Sequence, residues 1–194
     1  MARALRADAA RSVRAILEAA ERVLAQDASA SMEQIAEAAG LTRITVHRRF
    51  ANRQALLDAL AVSAKQQLAD AIEDARPDSA PALVALYRVT ANVLQVKKTW
   101  RFTLDHNLAH TPAAAAIWSD IDVRTQDLFT RAQREGLLDP AADLDWTRQV
   151  YYALLSEALN ASDTADGEAA EDPDTLATRV IDTLLYGAGP RRNP

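Results

Sequence analysis

The sequence predicts an all-α protein, and three observations carry that prediction. Apolar residues recur three and four apart along nearly the whole chain, while no stretch shows the strict alternation of a half-buried strand. Glycine is scarce, five in 194 residues, and Gly40, Gly136 and Gly187 each stand just past a periodic run, where a helix ends at little cost. Ser31, Thr42, Asn52 and Thr111, all good N-caps, stand just ahead of such runs. About nine helices are expected.

Arg3 and Arg6 precede Asp8, a predicted N-cap, and residues 1–7 read equally as a basic arm for phosphate or the minor groove and as a solvated terminus. Val13, Ile16, Leu17, Ala20 and Leu24 then mark an amphipathic first helix. Ser31 and Gln34 form a capping box: the hydroxyl serves the backbone N–H three residues on and the amide reaches back, so a second helix starts near Met32. Its stripe is Ile35, Ala36 and Ala39, and Gly40 ends it. Thr42 caps a third helix, residues 44–50, too short and polar to stand alone unless Val46 and Phe50 dock on its neighbours. That docking leaves Arg43, Ile44, His47 and Arg48 facing outward. Water rewards no exposed isoleucine, whereas the DNA major groove does: an aliphatic group meets a thymine methyl, arginine takes guanine O6 and N7, and hydroxyl or imidazole bonds phosphate.

Asn52 caps a long fourth helix to about residue 76, with Leu56, Leu57, Leu60, Ala64, Leu68, Ala71 and Ile72 on its apolar side. Residues 77–81 turn. Leu83, Val84, Tyr87, Val93 and Leu94 mark a fifth helix, and residues 97–110 a shorter sixth. Thr111-Pro112 opens a seventh, which Gly136 closes. Asp143 or Asp145 caps an eighth over residues 146–161, and the ninth runs over 173–186. Residues 162–172, acidic and patternless, read as a loop, and 188–194 as a disordered tail; Asp163, Asp166 and Glu168 lack the spacing of a calcium loop.

Composition narrows the class. Apolar residues at 49% and charged ones at 25% are ordinary globular usage. Cysteine is absent, which excludes disulfides and thiolate metal sites and suits a reducing cytoplasm. No run reaches the roughly 18 to 20 apolar residues of a membrane span, and no apolar run follows the N-terminal arginines, so a soluble cytoplasmic chain is expected. The net charge of −5 is uneven: residues 1–57 hold nine arginines against six carboxylates, +3, leaving −8 for the rest. The basic part is the part with the outward arginines.

Four segments carry a family resemblance: Glu18-Ala19-Ala20, Ile35-Ala36-Glu37-Ala38-Ala39-Gly40, His47-Arg48-Arg49-Phe50 and Arg53-Gln54-Ala55-Leu56-Leu57. Together, over about residues 13–60, they resemble the DNA-binding domain of the TetR family of one-component transcriptional regulators. The chain departs from the family pattern with His47 for a phosphate-binding tyrosine, Ile44 for a small residue and Arg53 for lysine. The resemblance implies a homodimeric, ligand-responsive regulator, most simply a repressor, on a near-palindromic double-stranded DNA operator. Residues 1–55 would form the DNA-binding domain and 56–187 a helical regulatory and dimerisation domain. The candidate DNA contacts are Thr42, Arg43, Ile44, Thr45, His47, Arg48, Arg49 and Arg53. No catalytic residue, cofactor or metal is expected.

The eighth helix is apolar on two stripes, Val150, Ala153, Leu154 and Glu157 beside Tyr151, Leu155, Ala158 and Leu159; on the ninth, Leu176, Val180 and Leu184 lie beside Ile181 and Leu185. One stripe serves the core and the other a partner. The family dimerises through these helices, and Tyr151, Leu155, Leu159, Val180 and Leu184 are taken as the candidate interface. A dimer holds two recognition helices about 34–36 Å apart, one turn of DNA. Trp100, Phe102, His106, Asn107, His110 and Trp118 are candidate walls for the small organic effector that the family's middle helices enclose, although a filled core explains the aromatics equally well. His106 and His110 have metal-ligand spacing but no third ligand beyond Asp105 or Asp120, and are read as a polar wall. A second class stays open, an all-α small-molecule-binding protein or helical-bundle enzyme with a vestigial DNA-binding domain. No nucleophile–base pair or phosphate-cradling loop supports an enzyme; chemistry abolished by changing His106 would.

Overall fold

The computed structural model describes the backbone of residues 2–105, 111–164 and 171–187. These residues form nine helices and no strand: α1 Ala2–Gln26, α2 Met32–Ala38, α3 Arg43–Arg49, α4 Arg53–Asp74, α5 Ala82–Thr99, α6 Arg101–Asp105, α7 Pro112–Arg134, α8 Leu144–Thr164 and α9 Pro173–Tyr186. They belong to two compact units, Met1–Gln66 with Trp100–Ile117, and Gln67–Thr99 with Trp118–Pro194. The chain crosses between them inside α4, after α5 and inside α7, whereas the sequence pattern draws one boundary after residue 55.

In the first unit α1 packs on α2 and α6, and α2 on α3. Ile16, Ala20, Leu24, Ile35, Val46, Leu56 and Leu60 are fully enclosed, with Phe50 beside them in the core. α1 starts at Ala2, ahead of the expected cap, because residues 2–10 are mostly alanine, arginine and leucine, strong helix formers that outweigh a capping preference. Asp8 sits inside the helix and pairs with Arg11 at 3.4 Å. Deeper along α1, Glu21 is buried, and Thr103 of α6 gives it a backbone N–H at 3.3 Å and a hydroxyl.

The α2–α3 turn is built from local chemistry. Ser31 Oγ accepts from Gln34 N at 3.2 Å, and Gln34 Oε1 accepts from Ser31 N at 2.7 Å. At the other end Gly40 takes φ 66°, Leu41 N donates to Ala36 O and Gly40 N to Glu37 O, both at 2.9 Å, which satisfies carbonyls the helix end would orphan. A Cβ at Gly40 would meet nothing within 4 Å, so Gly40→Ala isolates the backbone cost of a left-handed residue. We expect a loss of about 1–2 kcal/mol in chemical denaturation, with the fold retained.

In the second unit α5 packs on α8 and α9, and α8 on α9. The inward face of α5 is Ala82, Ala85, Leu86, Val89, Thr90, Val93 and Leu94. Val84 lies outside it, because small and hydroxyl residues complete the helical period that a search for large apolar side chains misses. α5 also runs on to Thr99, then breaks at the buried Trp100, so the sixth helix is shorter than expected and the described part ends at Asp105. Glu135 Oε2 accepts the Ala82 N–H at 2.7 Å, placing a carboxylate at the positive end of α5. Gly136, φ 78°, closes α7, and Asp143, not Asp145, caps α8. α8 continues through Thr164 into the expected loop; residues 165–170 and 188–194 lie outside the described residues.

Tyr151 stands at the centre of this unit. Its hydroxyl shares a 3.0 Å hydrogen bond with Thr90, and its ring meets Phe129 edge-on at 5.4 Å. Burial pushes its phenol well above the ordinary value of 10.0. The folded state therefore holds that proton more tightly than the unfolded chain, so its contribution is complete below pH 10 and is lost as pH rises through the folded value. Tyr151→Phe should therefore shift the alkaline unfolding midpoint, followed by circular dichroism, to higher pH relative to neutral-pH stability.

Candidate functional site

The third helix presents the surface anticipated from sequence. Thr42 caps it, accepting from Thr45 N at 3.2 Å, and the two hydroxyls lie 3.0 Å apart. Val46 is enclosed and Phe50 buried, which fixes the face: Arg43, Ile44, His47 and Arg48 are exposed, and Ile44 is 78% accessible. His47, Arg48 and Arg49 occupy the last turn, where cations oppose the negative end of the helix. That dipole accounts for basic residues here, but for no isoleucine. Arg49 is half-buried and its Nε has no partner among the described residues.

Arg53 does a job that the sequence reading missed. From the first position of α4 its guanidinium reaches back to the carbonyls of Ala30 and Ala28, the latter at 2.6 Å, and holds the α1–α2 connection. Beside it, hydrogen bonds from Ser29 and then the Arg53 charge hold the Asp27 carboxyl below the usual carboxylate range. Losing charged donors from two carbonyls should cost Arg53→Gln about 1–2 kcal/mol in a thermal melt. A parallel salt series on DNA reports any phosphate contact as a slope reduced by about 0.9.

The other candidates divide between the units. Trp100 and Phe102 are buried in the first. Trp118, 40% exposed, belongs to the second, its ring 6.0 Å from that of Tyr152 and tilted by 45°. His106, Asn107 and His110 lie outside the described residues. Tyr152, Asp122 and Arg148 were not singled out from sequence: Tyr152 donates to Asp122 Oδ1 at 3.2 Å, and Arg148 pairs with the same carboxylate and stands 5.8 Å over the Tyr152 ring. Burial raises the Tyr152 phenol as well.

Four of the five candidate dimer residues need correction. Tyr151, Leu155, Leu159 and Val180 are buried inside the single chain, and Leu184 is half-buried. The two stripes of α8 are both apolar, and the bulkier one faces the core that α5 and α9 complete, not a partner. The stripe left outward holds Trp146, Ala153 and Glu157 in the open, with Val150 and Leu154 half-buried.

Two helices joined by a glycine turn, the second exposing a basic face seeded with one isoleucine, define a helix-turn-helix DNA-binding protein. The family model for bacterial regulatory proteins of the tetR family matches residues 16–60. The HTH-type transcriptional repressor LfrR of Mycolicibacterium smegmatis is 35% identical over 153 residues, 78% of this chain and 79% of LfrR. The chain belongs to the TetR family of bacterial regulatory proteins. A crystal structure of LfrR from Mycobacterium smegmatis with proflavine superposes with a TM-score of 0.71 at 31% identity, covering 93% of this chain and 98% of the other. FadR from Bacillus subtilis in complex with stearoyl-CoA shares the fold, with a TM-score of 0.72 at 18% identity over 91% of this chain and 99% of FadR. No helix among the described residues is long and apolar enough to cross a membrane.

Proposed function

We propose that the chain is a homodimeric transcriptional repressor whose operator affinity is set by a small organic effector. The observation that carries this reading is the α3 face, on which Arg43, His47 and Arg48 surround an Ile44 that no core requires. One such helix makes few base contacts; two, held one turn of DNA apart, combine their affinities on a near-palindrome. The second copy docks on the outward stripe of α8, where Ala153 permits close approach, together with the exposed face of α9. Thr42, Thr45, Arg49 and Arg53 frame the contact to the DNA backbone.

Proflavine in the LfrR crystal structure supports a flat aromatic effector, for which Trp118 and Tyr152 offer ring faces in the second unit. An effector that favours a form with the wrong spacing of α3 helices weakens DNA binding by its differential affinity for the two forms, typically about 1–3 kcal/mol. The protein then works where the DNA is, in the cytoplasm, and does so without catalysis.

The test is fluorescence anisotropy of the full chain on DNA flanking its own gene, with scrambled competitor, a salt series and added proflavine. The reading expects tight binding that resists the competitor and weakens with proflavine. Weak binding that ignores sequence and vanishes with salt would overturn operator recognition, and operator binding indifferent to proflavine would overturn the choice of aromatic effector.

A further inference from the structure

Arg43 opens α3, and Glu33 stands in the first turn of α2, across the glycine turn. The two form an ion pair from Nε to Oε1 at 2.8 Å, with 66% and 48% of their side chains exposed. A pair this open adds little to folding stability. Its placement is the informative part. The carboxylate approaches the guanidinium at Nε as an ion pair without a directed hydrogen bond, and the two terminal nitrogens have no partner among the described residues. Those two nitrogens form the fork that matches guanine O6 and N7.

A carboxylate on this face is otherwise a liability, because it repels phosphate. It has a use if it governs where the arginine points. A free arginine has four rotatable bonds and finds phosphate oxygens as readily as bases, which raises affinity for every sequence alike. Drawn toward Glu33 at Nε, the fork is biased to one direction, and a base without paired acceptors leaves it unsatisfied beside a negative charge.

We propose that Glu33 is a specificity-determining positioning residue, which aims the terminal nitrogens of Arg43 at a guanine in each operator half-site. The inference rests on the DNA-binding reading above. It adds that discrimination at one base pair depends on a side chain of α2 that need not touch the DNA.

The experiment uses the full-length parent, Glu33→Gln, Arg43→Ala and the double variant. The probes are the consensus duplex that the parent enriches from a randomised pool, duplexes substituted at each position of one half-site, and a scrambled duplex. Glu33→Gln should lower discrimination about fivefold or more at one G·C pair, the same pair at which Arg43→Ala loses it. Its affinity for the scrambled duplex should stay level or rise, since a repulsive charge is gone. In the Arg43→Ala background the same change should alter discrimination by less than about twofold. Melting curves of all four proteins separate these effects from loss of the carboxylate at the start of α2, which would lower stability and leave base preference alone.

Unchanged discrimination at every position in Glu33→Gln, an equal loss at all positions, or the same loss with and without Arg43 would each overturn the assignment while leaving operator recognition intact. A parent that enriches no consensus overturns the DNA-binding reading and this inference with it.

Discussion

Phe50→Ala is expected to abolish operator binding by unfolding the first unit, with no DNA contact removed. Phe50 closes α3 at its C-cap, donating its N–H to Val46 O at 2.9 Å, and its ring is buried with Ile16, Ile35 and Leu56 in the same core. Removing a buried phenyl ring leaves a cavity as well as lost transfer energy, together about 3–5 kcal/mol. That is a large share of the roughly 5–15 kcal/mol by which domains are stable. Six residues earlier, Ile44 supplies the matched control. Its side chain is 78% exposed, so Ile44→Ala should leave stability within about 0.5 kcal/mol. Urea titrations followed by circular dichroism, beside anisotropy on operator DNA, should show stability and binding falling together for Phe50→Ala and binding falling alone for Ile44→Ala. Equal stability losses would mean that the face of α3 is assigned wrongly.

Arg43→Ala should cost about 1–3 kcal/mol of operator affinity, some 5- to 150-fold, and most of that loss should be specific. Affinity for scrambled DNA falls only by one cationic charge, so the ratio of specific to non-specific binding contracts. Competition titrations at fixed salt measure that ratio directly. If both affinities drop by the same factor, Arg43 contacts phosphate rather than a base. The exposure of this residue keeps folding out of the account, since its one described partner is the surface carboxylate of Glu33.

The parts of this molecule that could be read from sequence are those whose causes lie within a few residues. Ser31 with Gln34, Thr42 with Thr45, and the Asn52 side chain with the Ala55 N–H are contacts three residues apart, and Gly40 acts through its own φ. Together with the burial of Val46 and Phe50 they determine the outward face of α3, which is why its four exposed residues could be named in advance. What escaped the sequence depends on angles between helices. Arg53 finds carbonyls 23 and 25 positions away, and no local pattern marks an arginine at a helix start as a clamp. On α8 both stripes are apolar, and only the position of α5 and α9 decides that Tyr151 and Leu155 go inward while Ala153 stays out. The Arg43–Glu33 pair spans ten residues across a turn whose geometry had to be known first. The candidate effector walls were least legible, because a buried tryptophan and a ligand-contacting one look alike in sequence.

The contact between Glu21 and Thr103 sets an order of events during synthesis. The two residues are 82 positions apart, and the donors that Thr103 gives the buried carboxylate belong to α6, beyond the end of α5. A ribosome that has just joined residue 66 to the chain still has 37 residues to add before Thr103 exists. At about 5–20 residues per second this takes roughly two to seven seconds. During that interval the residues that cap and turn the helix-turn-helix all exist in the chain, while the hydroxyl and amide that serve Glu21 do not. The unit that begins at the N-terminus is therefore completed only after the whole of the other unit's first stretch of chain, Gln67–Thr99, has been made.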